Sequence, residues 1–319
     1  MPSNNTGRER PGQDHFIASL AETPVAEIDQ VDESGKARST WTDAWEAMRR
    51  RPMFWISSVL IFIIVIVAIF PGLFATYSPT ECYLKFSDGG PEAGHPLGFT
   101  RQGCDVYSRI IFGTQASVTI GLLTTIMVTL FGGIVGALAG FYGGLLDSFV
   151  SRIGDIFFAI PTVLGAIVVI SVIPVRDALS VSLILALFAW PQIARIMRGA
   201  VLSARNSDYV TASAALGVSR FKTLVRHVVP NAIAPVIVIA TVSLGIFIVA
   251  EATLGFLGIG LPPTVMSWGN DINQARVSIR TNPQTLLLPS AALSITVLAF
   301  LMFGDVVRDA LDPEARARR

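Results

Sequence analysis

The chain has 319 residues, 52% of them hydrophobic and 15% charged, with a formal net charge of +1. So apolar a composition excludes an ordinary soluble domain, and basic residues dealt out between apolar segments exclude an electrostatic nucleic-acid binder. What remains is a chain built for a bilayer.

The first 38 residues are polar, carry both signs of charge and lack helical periodicity, which predicts a disordered cytoplasmic tail with no cleavable leader. In residues 39–53, Trp41, Ala44, Trp45 and Met48 share one helical face opposite Asp43, Glu46, Arg49 and Arg50, and Thr40 with Asp43 has capping-box spacing. Indoles at headgroup depth and arginines toward lipid phosphate suit an interfacial helix that Pro52 turns into the membrane. A helix resting on a soluble partner is the plainer alternative.

Six runs are long enough to cross about 30 Å of hydrocarbon, near 54–75, 115–141, 153–174, 178–197, 232–257 and 284–304. A run such as "WISSVLIFIIVIVAIF" is apolar on every side, and in lipid only a helix satisfies its backbone. The expected fold class is therefore an all-α polytopic membrane protein, with a six-helix domain over 54–306 and a cytoplasmic tail over 307–319. With the N-terminus inside, eighteen of the 24 Lys and Arg fall on the inner side and only Lys85, Arg101, Arg109, Arg176, Arg276 and Arg280 outside. That bias predicts both termini in the cytoplasm.

The first outer loop, about 77–110, holds both cysteines, Cys82 and Cys104. A disulfide on the oxidising side of the membrane is one reading; a metal site with His95 is another, though no fourth ligand lies at finger-like spacing. In the second span Gly132, Gly136 and Gly140 form a small-residue stripe, either for close helix packing or for a smooth pore face. Asp147, Arg152, Asp155, Arg195 and Arg198 flank the inner ends of the third and fourth spans and read as interfacial anchors. Glu251, within the fifth span, must face the bundle interior, as a packing hydrogen bond or as part of an outer gate. The second outer loop, 258–283, carries Pro262, Pro263, Trp268 and Asp271, suited to meeting an external protein, to closing a path, or to simple packing.

Between the fourth and fifth spans lies a polar connection over about 199–231, which contains "YVTASAALGVSRFKTLVRHVVPN" (209–231). Ser207 or Asp208 is placed to cap a short helix through Leu216, Gly217 to supply a left-handed corner, and Ser219 to cap a second helix ending before Pro230. The small residues Thr211, Ala212, Ser213 and Ala214 make the first helix slim. Arg220, Phe221, Leu224, Val225, Arg226 and His227 give the second an apolar side among basic groups. A connection of about 30 residues with its own helices is uncommon unless functional, which favours a docking element over a plain loop.

At these residues the chain resembles the coupling motif of importer-type ABC transporter permeases, whose pattern is Glu-Ala-Ala, three residues, then Gly. Thr211, Ala212, Ser213 and Gly217 stand at those positions, with Thr211 in place of the acidic residue. "HPLG" at 95–98, "GCDVYSRIIFG" at 103–113, "GFYGGLLDSFVSRIGDIFFAIP" at 140–161, "EATLGFLGIGLPP" at 251–263, "SWG" at 267–269 and "GDVVRDALDP" at 304–313 narrow the resemblance to the second permease of the dipeptide/oligopeptide (and nickel) branch. Where that branch usually has Gly-Arg-Asp, this chain has Gly103, Cys104 and Asp105, which favours the disulfide.

The resemblance implies a type I importer permease fold, a second homologous permease and two cytoplasmic ATPases that bind ATP and Mg. It also implies an extracytoplasmic solute-binding protein and the cell membrane of a prokaryote. The imported solute is then a dipeptide or oligopeptide, with nickel or another small solute as the alternative. The chain itself has no G-x-x-x-x-G-K-[ST] phosphate loop, no catalytic cluster and no bound cofactor in this reading. An ion-coupled secondary transporter is the competing class; it would need more intramembrane carboxylates or doubled topology than Glu251 and six runs provide.

Overall fold

The structure, a computed structural model, describes residues 40–311. The predicted tail over 1–38, the side chain of Thr40 in its capping box, and residues 312–319 lie outside the described residues. Helix α1 (Thr40–Arg49) meets α2 (Pro52–Ile69) at an elbow where Pro52 occupies the first helical turn, in which its missing N–H costs nothing. Phe54 is buried at that elbow against the rings of Trp45, Trp55 and Phe303. Trp41 and Trp45 are half-exposed and Ala44 is buried, so α1 rests on the bundle through its smallest apolar residue.

The second helix of the bundle is longer than its apolar run. Helix α3 (Val106–Tyr142) has 37 residues, about 55 Å, nearly twice the hydrocarbon thickness. The apolar run expected over 115–141 starts later than the helix because Tyr107, Ser108, Arg109 and Thr114 precede it. The helix starts earlier because Asp105 caps it, its carboxylate accepting from the Ser108 N–H at 2.7 Å, and because the outer loop packs around those polar residues.

After Gly143 and Gly144, both at positive φ, helix α4 (Gly144–Phe158) and helix α5 (Thr162–Val172) follow, bent by 83° at the break between them. The span expected near 153–174 is therefore not a single helix: it starts earlier, at Gly144, and is broken before Thr162. Pro161 has no N–H to continue the ladder and disfavours the α conformation at Ile160, so the helix stops there. The bend leaves an apolar hollow of about 760 Å³ between α3, α4 and α6, floored by Phe131, Phe157 and Trp190.

Helix α6 (Ala178–Ala204) is capped by Asp177, which accepts from the Ser180 N–H at 2.7 Å. It runs parallel to α3, and the glycine stripe is the seam between them. A Cβ at 132 would lie 2.7 Å from the Trp190 carbonyl oxygen and one at 140 would lie 2.8 Å from that of Arg198. A Cβ at 136 would enter the Ala194 backbone. Those contacts make the stripe a packing surface and remove the pore-face alternative. Helix α10 (Ala234–Phe256) runs antiparallel to α3, with Gly121 against Ile248, and α12 (Gln284–Leu311) runs back along it, with Gly304 against Val242. Helix α12 continues past the expected end of the sixth span because Val306, Val307 and Ala310 are buried.

Five of these helices are long and apolar enough to cross a membrane, and the bent pair makes six if it counts as one span. That pair runs back along α6 from one end of the bundle to the other. Asp155 lies by Arg195, Gly165 by Phe188, and Ile170 in a core cluster with Val181, Ile184 and Leu185. Chain directions therefore alternate consistently, and the start of α2 meets the end of α12 through an Arg51–Asp309 ion pair.

Candidate functional site

The 205–232 insert closes the end of the bundle at which α3 and α6 finish. Helix α7 (Asp208–Ala215) ends in a corner formed by Leu216 and Gly217, whose φ is +76°. The Gly217 N–H donates to the Ala214 carbonyl at 3.0 Å and the Val218 N–H to the Ser213 carbonyl at 3.2 Å, which is the paired bonding of a Schellman cap. Ser207 and Ser219 hold the N-cap positions expected of them, but neither makes the side-chain capping bond.

The second helix differs from expectation. Helix α8 (Arg220–Thr223) passes into a π-helical stretch, Leu224–Val228, and then into α9 (Val229–Ala232), so it does not stop before Pro230. Pro230 cannot donate and crowds the carbonyl one turn back; a wider turn just upstream accommodates the ring without ending the helix. Asn231 then donates to the His227 carbonyl at 2.7 Å, steadying the exit toward α10.

Two opposite faces result. Val210, Leu224, Val228 and Ala232 are buried in one cluster with Val128 of α3, Ile193, Met197 and Val201 of α6, and Val236 and Phe247 of α10. Ser213 and Thr223 join the two insert helices through hydroxyls 3.2 Å apart. The insert thus shares a close-packed core with three long helices. The other face holds Leu216, Phe221 and Val225, exposed at 83%, 62% and 51%, among the exposed Arg220, Lys222 and Arg226. Thr211, Ala212 and Ala214 are exposed beside them and Ser213 is buried.

Alongside lies a groove of about 370 Å³ bounded by Tyr142, Arg205, Val210, Ala214, Val218 and Arg220. Arg205 donates to the Gly140 carbonyl at 2.9 Å, so the insert's first basic group also fastens the end of α3. Four of the five residues read as interfacial anchors pair across α4 and α6, and Arg152 makes no ion pair among the described residues. Arg198 holds Asp147 with both ends of its guanidinium fork, Nη2 to Oδ2 at 2.7 Å, and Arg195 meets Asp155 at 3.0 Å. Charges 40 and 51 residues apart in sequence carry no local signal of pairing.

At the opposite end, Cys82 and Cys104 form a disulfide with S–S 2.05 Å. Both sulfurs are committed, and His95 bonds Asp105 at 2.9 Å while stacking on Tyr77. That arrangement overturns the alternative of a Cys-His-Cys metal site. Asn282 reaches from the α12 side toward the carbonyls of Asp88 and Phe99, at 3.5 and 3.4 Å, clasping the loop to the bundle.

Glu251 is 1% exposed and lies beside the Ser117 and Ser267 hydroxyls. Those hydroxyls accept from the N–H groups of Trp268 and Asn270, at 3.3 and 3.2 Å, at the start of helix α11 (Trp268–Ala275). Neither Glu251 oxygen has a hydrogen-bond partner among the described residues, so the carboxyl is buried beside the start of α11 without a bond to it. Gly269 packs directly on the Ala252 backbone, so the stretches "EATLG" and "SWG" form one contact. Asp271 is buried against Arg109, Nε to Oδ1 at 2.9 Å. Burial pushes the Asp271 carboxyl above the usual range and the guanidinium opposes it. Trp268 and Asp271 are therefore packing residues, not a surface for an external protein.

Residues 132–317 match the family model of the binding-protein-dependent transport system inner membrane component. Residues 39–89 match that of the N-terminal TM domain of oligopeptide transport permease C. The chain is 33% identical to the oligopeptide transport system permease protein OppC of Bacillus subtilis, over 89% of this chain and 92% of that protein. It is 31% identical to the dipeptide transport system permease protein DppC of Alkalihalophilus pseudofirmus, over 92% and 97%. The glutathione transport system permease protein GsiD of Pectobacterium atrosepticum is 31% identical over 94% and 98%. A helical bundle of this length, matched over most of its residues, belongs to the family of binding-protein-dependent transport system inner membrane components.

Proposed function

We propose that this chain is the second permease subunit of an ATP-driven importer of dipeptides or oligopeptides, and that the 205–232 insert is where separate cytoplasmic ATPases grip it. The observation that carries the reading is the insert's two-sidedness: an apolar and basic outer face, and an inner face sharing one core with α3, α6 and α10. Exposed apolar groups such as Leu216 and Phe221 on an aqueous end are costly unless a partner covers them. Thr211, Ala212, Ala214, Leu216, Gly217, Arg220, Phe221, Arg226 and His227 then form or border the contact, while Ser213 braces it from within.

ATP and Mg bind the partner subunits and this chain supplies no phosphate loop. ATP-driven closure of the ATPases displaces the insert, and the shared core carries the displacement to the long helices. A second, homologous permease completes the path, and an extracytoplasmic binding protein delivers the solute to the end that holds the disulfide loop. The alternating helix directions, with the bent pair as one crossing, support six spans. The charge bias supports both termini in the cytoplasm of a prokaryotic cell. Glu251, buried where α10 packs on the start of α11, fits an outer gate that opens as the two part.

The relatives named for oligopeptide, dipeptide and glutathione transport support a peptide cargo over nickel. The test is to purify the chain with its companions and identify what the external subunit holds. ATPase subunits and bound peptides support the reading; a companion-free chain that transports, or bound nickel, contradicts it.

A further inference from the structure

The outer face of the insert is unusual for its charge as well as its exposure. Arg220, Lys222 and Arg226 are exposed and make no ion pair with any carboxylate among the described residues. On the insert they set three bases against one acid, the exposed Asp208, around Leu216, Phe221 and Val225. A ligand matching this face would be acidic, with apolar side chains interleaved, and such a stretch exists in the same chain. Residues 22–33, "ETPVAEIDQVDE", hold the carboxylates of Glu22, Glu27, Asp29, Asp32 and Glu33, no base, and the apolar Val25, Ile28 and Val31.

Connectivity permits the meeting. The described chain begins at Thr40, on α1, which packs against the end of α12. By the helix directions above, that is the end of the bundle that carries the insert. At about 3.4 Å per extended residue, Glu33 reaches roughly 24 Å from Thr40 and Glu22 roughly 60 Å. The end of a bundle whose helices lie 8–10 Å apart is about 30 Å across.

We propose that the acidic stretch 22–33 docks on the exposed apolar and basic face of the insert and competes there with the ATPase, an autoinhibitory contact within one chain. The inference rests on the reading of the insert as the ATPase-docking element. A tethered ligand works at an effective concentration on the order of 1 mM, so even a weak contact keeps the face partly covered. A partner that binds the same face more tightly displaces it, and salt weakens the charge term.

The experiment uses the assembled transporter in lipid nanodiscs, with a photo-crosslinking residue in place of Ile28. A companion variant carries the amide exchanges E22Q, E27Q, D29N, D32N and E33Q. The proposal expects a link from position 28 to a peptide within 209–226, lost at high salt and in the amide variant. It also expects basal ATP hydrolysis in the amide variant to rise about two- to fivefold, the range that partial coverage by a tethered ligand allows. A link confined to lipid or to another subunit, no link at all, or unchanged hydrolysis overturns it. The docking reading fails separately: if G217V imports at the wild-type rate while the link still forms, the ATPase role is lost and the tail contact stands.

Discussion

Replacing Gly217 by valine strains the corner without crowding it. A Cβ at 217 meets nothing within 4 Å, so the whole penalty is conformational. At φ +76° an L-residue costs about 1–2 kcal/mol, with β-branched valine at the upper end. Relaxing to negative φ instead gives up the two cap bonds from Gly217 and Val218, each worth about 1 kcal/mol net. Either way the functional corner is disfavoured by about 2 kcal/mol, near a 30-fold shift in its population. Binding-protein-stimulated ATP hydrolysis and peptide uptake, measured together in proteoliposomes, are expected to lose their proportionality. Uptake falls about ten- to thirtyfold, while insertion and yield stay unchanged. Gly217→Ala falls about fivefold. Gly199→Ala is the control, since its Cβ also meets open space but sits at a helical φ in α6, and it imports normally. Wild-type uptake by G217V, or an equal loss in G199A, refutes the reasoning.

Three further outcomes test the scaffold. Gly136→Leu forces a side chain into the Ala194 backbone and separates α3 from α6, at a cost of at least 1–3 kcal/mol, whereas Gly133→Leu, in open space, leaves detergent thermostability unchanged. Reducing the Cys82–Cys104 bridge, which spans 22 residues, removes about 3 kcal/mol from the outer loop; limited proteolysis of 77–105 with and without reductant reads it out, and non-reduced protein shows no free thiol. Arg109→Met strands a buried carboxylate and costs about 3–5 kcal/mol, and adding Asp271→Leu recovers most of it; a double-mutant cycle on thermal unfolding measures the coupling.

The apolar runs and the small-residue stripe were readable because each depends on local sequence alone. So was the glycine corner, since Gly217 between two helix-forming stretches has few other uses. The apolar run continues across Pro161 and hides the break there. Nothing local marks Leu224–Val228 as π-helical, because that turn is an accommodation of Pro230 by its surroundings. The links of Arg109 to Asp271 and of Asp147 to Arg198 span 162 and 51 residues, so only the folded bundle brings the charges together. Glu251 was recognised as interior by its cost in lipid. Its neighbours Ser117 and Ser267 come from other elements and were invisible beforehand.

The most direct measurement of the central claim is solute uptake by proteoliposomes containing this chain alone, given an imposed proton or sodium gradient and labelled peptide. The account predicts no accumulation until ATP and the separate ATPase subunits are supplied with the rest of the assembly. Accumulation driven by the gradient alone contradicts it.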